Sequence, residues 1–124
     1  MHKNLKVYGF KKGWQGIMEM DNFQTAGQEF VDGMLRTAQV AESLVIVYNE
    51  DGFILCLEPR VLFWEREEKE VDTGDIRYIV YGDCFVCRID EKENFVSLRD
   101  DDVKTINHHL KAVSSISDGI IYLE

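Results

Sequence analysis

The sequence predicts an α+β fold, a mostly antiparallel sheet with two helices in a single domain, on three observations. Short apolar or alternating stretches recur along the chain between polar turns rich in Gly, Asn and Asp, as in hairpin-connected strands. Two segments, Phe23–Asp32 and Asp101–Val113, instead repeat apolar residues at three-and-four spacing, the period of a helix buried on one face. The chain has 124 residues, 45% hydrophobic and 30% charged, a size and composition suited to one core. Residues 1–124 are therefore expected to form one domain.

Leu5–Phe10 alternates in period two and reads as a strand. Lys11–Gly16 turns the chain around Trp14, Gly13 and Gly16 supplying freedom for positive φ. Ile17–Met20 returns as the second strand of a hairpin. Asp21 or Asn22 is placed to cap the first helix by accepting an orphan amide. Phe23, Ala26, Phe30 and Val31 form that helix's buried face, with Met34 beyond, and Gly33 is expected as its left-handed stop. Gly27 costs about 1 kcal/mol relative to Ala inside a helix, so it points to close packing on a sheet.

Strand signals dominate from Met34 onward. Val45–Tyr48 and Phe53–Leu57 read as a hairpin across Asn49-Glu50-Asp51-Gly52. Pro59 has no amide to donate, so Glu58–Arg60 belongs at an edge or in a loop, before a short strand at Val61–Trp64. Glu65–Asp75 holds six acids against Arg66 and Lys69, which marks a solvated loop or the end of a protruding hairpin. Ile76–Tyr81 and Cys84–Ile89 are strands around Gly82-Asp83. Phe95–Leu98 follows the polar turn Glu91–Asn94. Val103, Ile106, Leu110 and Val113 form the stripe of the closing helix. Asp100, Asp101 and Asp102 suit the positive end of its dipole, and Leu98 is set to staple onto Val103. Ile120–Leu123 reads as a final strand.

The net charge is −9, and it is unevenly spread. Four lysines against one glutamate leave +3 in residues 1–20; ten cations against 22 acids leave −12 in residues 21–124. Such a balance argues against direct nucleic-acid binding, which needs Lys and Arg on phosphates. It favours a basic protein or nucleoprotein as partner, because patches of one sign steer association. The best contact candidates are Trp14 and Trp64, with the acids Glu65, Glu67, Glu68, Glu70, Asp72 and Asp75. Trp14 sits in a glycine-flanked turn beside Lys11 and Lys12, where an aromatic either closes the core or anchors a partner. The apolar runs Leu44–Tyr48 and Phe53–Leu57 are far short of the roughly 20 residues of a membrane span. Met1–Phe10 lacks the apolar segment of a secretory signal, and three cysteines suggest reduced thiols. A cytoplasmic protein without a membrane segment is expected; its oligomeric state is not legible.

Catalytic and metal motifs are weak. Cys84-Phe85-Val86-Cys87 is formally a CxxC, but residues three apart on a strand point to opposite faces, whereas metal and redox pairs sit on turns or helix starts. Cys56, His108 and His109 are the remaining ligand candidates, and no local spacing brings them together. Both histidines fall off the apolar stripe and are expected in solvent. Ser97, Ser114 and Ser115 lack a nucleophile-elbow context. Neither acid run has the alternating acids, central Gly and terminal Glu of an EF-hand. The expectation is a noncatalytic protein without metal or cofactor; the alternative is a small enzyme or ligand-binding domain assembled from distant residues.

Five stretches in order carry a resemblance: Tyr8-Gly9-Phe10 with Gly13-Trp14; Glu29-Phe30-Val31-Asp32-Gly33; Val47-Tyr48-Asn49-Glu50-Asp51-Gly52; Gly74-Asp75-Ile76; and Phe95-Val96-Ser97-Leu98. Over about Leu5–Ile106 the chain resembles the domain of unknown function 3846 family. It departs at Asp32, where a first Gly is usual, and at Leu57-Glu58-Pro59-Arg60, which replaces a Leu-Pro-x-Asn stretch. The resemblance implies a small cytoplasmic product of a conjugative transposon, phage or plasmid of Gram-positive bacteria. Such elements carry small acidic proteins that interfere with host defence, and this implies the same class of role.

Overall fold

The computed structural model describes residues 4–21, 23–64, 77–117 and 120–123. β1 (Leu5–Lys11) and β2 (Trp14–Met20) form the expected hairpin in full register. Its turn is tighter than the sequence suggests. Only Lys12 and Gly13 lie outside the strands, Gly13 takes φ +74°, and Gly16 is a strand residue opposite Gly9. α1 (Phe23–Val31) follows. Its left-handed residue is Asp32, at φ 59°, not Gly33. Asp tolerates that conformation through its short polar side chain, while Gly33 is needed for space: a Cβ there would stand 2.6 Å from the Asn49 amide nitrogen.

β3 (Leu35–Ala41) and β4 (Leu44–Asn49) pair antiparallel around Glu42-Ser43, with Ser43 at φ 63°. The strand expected at Phe53–Leu57 is absent, and these residues form turns. β4 is interior, bonded to β3 on one side and to a later strand on the other, so no edge remains for a hairpin partner. β5 (Pro59–Trp64) begins at the proline and lies between two strands, but its pairing with the later of the two starts only at Val61, so Glu58–Arg60 sits at a local edge as expected. Pro59 is tolerated because it is the first residue of the strand, next to an irregularity in register before Val61. β6 (Arg77–Tyr81), β7 (Cys84–Ile89) and β8 (Phe95–Val96) match the sequence reading closely.

α2 (Asp102–His109) stops one turn earlier than its apolar period. Leu110 is extended and opens β9 (Leu110–Ser117), which pairs with β5 and with β10 (Ile120–Leu123). A strand slot beside β5 wins over helix periodicity, and Leu110 enters the same core by another route.

The strands form two sheets. One has the order β2-β1-β7-β4-β3, with β8 also on β7; the other has the order β10-β9-β5-β6. Gly82-Asp83 carries the chain from one sheet to the other, Gly82 at φ +84°. The larger sheet is covered on both faces, which explains why its central strands are apolar throughout instead of alternating. Toward α1 point Val7, Val45, Val47, Phe85 and Cys87, with Met20 and Val31. Toward α2 and the smaller sheet point Tyr8, Phe10, Leu44, Ile46, Cys84 and Val86, meeting Val61, Val80, Ile106 and Leu110. Gly27 fits the first core because a Cβ there would lie only 3.3 Å from the Phe85 ring.

Candidate functional site

Trp14 is neither buried nor free. A Cβ on either Gly9 or Gly16, which face each other across the hairpin, would lie 3.2 Å from the indole. The ring therefore rests on a glycine pair and leaves 44% of the residue exposed. Lys11 stands over the nearby Phe30 ring at 5.1 Å, and Lys12 reaches Glu58 at 3.5 Å. Glu58 also meets Arg60 at 3.9 Å, and Arg60 binds Asp83 through Nε at 3.2 Å. These ion pairs tie the hairpin tip to the start of β5, around a cleft of about 440 Å³ that includes Cys56, Leu57 and Asp32. Trp64 closes β5, but its side chain, together with Glu65, Glu67, Glu68, Glu70, Asp72 and Asp75, lies outside the described residues.

The expected hairpin turn holds something the sequence reading missed. Asn49, buried at the end of β4, donates from its amide nitrogen to the carbonyls of Val31, at 3.1 Å, and Asp32, at 3.0 Å. Its Oδ1 accepts from the Asp51 amide at 2.8 Å. One side chain thus closes the end of α1 and fixes the start of the next turn. Backbone bonds from Leu55 to Asp51, from Cys56 to Phe53 and from Leu57 to Gly52, between 2.8 and 3.1 Å, shape the rest. Gly52 packs so closely that a Cβ would stand 2.7 Å from the Tyr81 carbonyl oxygen. The Phe53 ring meets Tyr81 edge-on at 5.4 Å. On this fixed support Phe53, Ile54 and Leu55 are 73%, 77% and 57% exposed. The sequence signal for this turn is the apolar run itself, whose composition is that of a strand.

A second feature is polar. Arg88, on β7, makes a two-pronged pair with Asp102 at the start of α2, Nε to Oδ2 at 3.0 Å and the second guanidinium nitrogen to Oδ1 at 3.1 Å. The Arg99 amide donates to the same carboxylate at 2.7 Å. Of the three acids read as dipole partners, Asp102 turns inward and is buried, while Asp100 and Asp101 are exposed. Arg88 and Arg99 line a cleft of about 790 Å³ with Glu42, Lys92, Asp90 and Glu91. Asp90 is held below the usual carboxylate range, chiefly by the Asn94 backbone amide. Its oxygens are taken up by Asn94 and the Lys92 amide.

Cys84 and Cys87 do point to opposite faces of β7, one into each core. Burial pushes the Cys84 thiol well above its ordinary range, with Arg60 opposing, and the Cys87 thiol up to about 12. Both are neutral thiols in apolar surroundings. Cys56 is exposed. His108 is exposed as expected, but His109 is buried: the chain leaves α2 there to enter β9, and this junction is covered. Among the described residues no three His, Cys, Asp or Glu side chains converge as a metal site. No described helix is long and apolar enough to cross a membrane.

Two antiparallel sheets around a shared core, with one helix on each side of the larger, define the class as an α+β protein that exposes an apolar turn and a polar cleft. Residues 12–111 match the family described as Domain of unknown function (DUF3846), and the chain belongs to that family. Neither the curated proteins nor the solved structures contain a match.

Proposed function

We propose that this chain is a noncatalytic accessory protein of a bacterial mobile genetic element that works in the cytoplasm through protein contact, its partner being a basic host-defence protein or nucleoprotein. The observation that carries this reading is the exposed run Phe53-Ile54-Leu55, fixed on a hydrogen-bonded turn. Contiguous exposed apolar side chains are what protein-contact sites are built from, and a patch on a hydrogen-bonded turn loses less entropy on binding than a free segment. The net charge of −9 adds selectivity for a basic partner.

Affinity purification of the tagged chain from host lysate tests the reading, with neighbouring genes sequenced in parallel. The expected result is one basic protein retained at low salt and released at high salt, and genes for transfer, integration or replication beside the coding sequence. Recovery of no basic protein or nucleoprotein counts against the partner, and neighbours of housekeeping metabolism count against the mobile-element setting. A second reading, a small-ligand domain, draws on the cleft at Arg88 and Arg99. Saturable binding of a small anion there, weakened by Arg99→Ala, supports it; none at millimolar ligand removes it.

A further inference from the structure

We infer that the turn carrying Phe53, Ile54 and Leu55 is a plug that enters an apolar pocket with a lysine- or arginine-rich rim on a different protein. This deepens the protein-contact reading and rests on it. The three apolar residues are consecutive on a segment closed by a bond from the Leu55 amide to the Asp51 carbonyl, a single helical turn that is not continued. Successive side chains on such a turn point about 100° apart, so the triplet presents apolar surface on several sides. A pocket matches that shape better than a flat sheet face.

Charge selects the occupant. Glu50 and Asp51 precede the plug and Glu58 follows it, all exposed. Among the described residues, Lys12 pairs with Glu58, and Arg60 with Glu58 and Asp83. With Glu58 offset by Lys12 and Arg60, Glu50 and Asp51 leave the plug an acidic flank, whose complement is a basic rim. A second copy is the poorer occupant, because each copy brings −9 and the clefts at Arg60/Asp83 and Arg88/Arg99 are lined by charged groups; entry into a second copy's cleft at Lys104 and His108 is the outcome that a self-association measurement reads. An anionic membrane is likewise opposed by the acidic flank.

The test uses the full chain, labelled for amide NMR, and a defined probe: an amphipathic helical peptide of Leu and Lys, whose apolar stripe is flanked by lysines. Its controls are a Leu/Glu peptide with the same stripe, a Ser/Lys peptide without one, and phosphatidylcholine/phosphatidylglycerol vesicles. The Leu/Lys peptide is expected to shift the amides of Gly52–Cys56 saturably, with affinity falling about tenfold between low and physiological-plus salt. The controls leave those amides in place. Ile54→Ser should weaken binding roughly tenfold, as loss of a central apolar anchor does, with the remaining spectrum unchanged. Glu50→Gln with Asp51→Asn should flatten the salt dependence. The inference is overturned by four outcomes: no shift at Gly52–Cys56, equal binding of the Leu/Glu peptide, vesicle binding through these residues, or self-association lost in Ile54→Ser. If the chain still retains a basic host protein through another surface, the plug is wrong while the wider reading stands.

Discussion

Asn49 shows how much one side chain holds in this fold. Its amide nitrogen serves two carbonyls at the end of α1, and its oxygen serves the turn that carries the plug. Removing it leaves buried polar groups unpaired, so Asn49→Ala is expected to cost about 2–3 kcal/mol in chemical denaturation. Gly33→Ala, which forces a methyl toward the same amide, should also destabilise. The Arg88–Asp102 pair makes a sharper case. Asp102→Ala leaves a largely buried guanidinium without its partner and should cost about 3–5 kcal/mol, whereas replacing both residues by apolar side chains of similar volume should cost much less. A double-mutant denaturation cycle checks it.

The two buried thiols provide a pH test at the same scale. Cys84 and Cys87 hold their protons in the fold to higher pH than in the unfolded chain, where the ordinary value is 9.0. Above pH 9 the unfolded chain releases protons that the native chain keeps, so stability is intact below that point and declines as pH rises toward about 12. At pH 8 an alkylating reagent should modify Cys56 rapidly, and Cys84 and Cys87 only on unfolding. Rapid modification of all three would contradict the two-core placement.

Most elements were legible in the sequence because local pattern and tertiary context agree there. β1, β7, β10 and α1 fall within a residue or two of where alternation, apolar runs and three-and-four spacing put them. The two largest departures share one cause, which is that neighbours in a sheet are not local. Phe53–Leu57 has strand composition, but β4 has both edges occupied by β3 and β7, so the run is left outside as a turn. Leu110 continues the helical stripe of α2, yet β5 offers it a pairing partner and the helix ends at His109. Burial of His109 follows from that early end. The candidate site was legible only as composition: the apolar residues of the plug were visible, and their exposure required the sheet order. Because Ile54 touches little, Ile54→Ser should change stability by no more than about 0.5 kcal/mol while removing a binding anchor. A thermal melt alongside the peptide titration separates the two effects.

At the scale of the molecule, the proposed contact combines the acidic charge with the apolar plug. On that proposal an acidic body would draw a basic partner in at a rate that salt lowers, and the plug would supply the short-range contact that keeps it there. Each alone is ordinary. Many proteins are acidic, and single exposed leucines need no explanation, but three consecutive exposed apolar residues on a hydrogen-bonded turn beside Glu50 and Asp51 are the combination on which the proposal rests. The most direct measurement is photo-crosslinking in host cells from a benzoylphenylalanine placed at position 54, with position 15 on β2 as the control site. The account predicts a discrete covalent adduct with one basic protein, specific to position 54 and diminished by Glu50→Gln with Asp51→Asn. No adduct from position 54, or the same adducts from both positions, would contradict it.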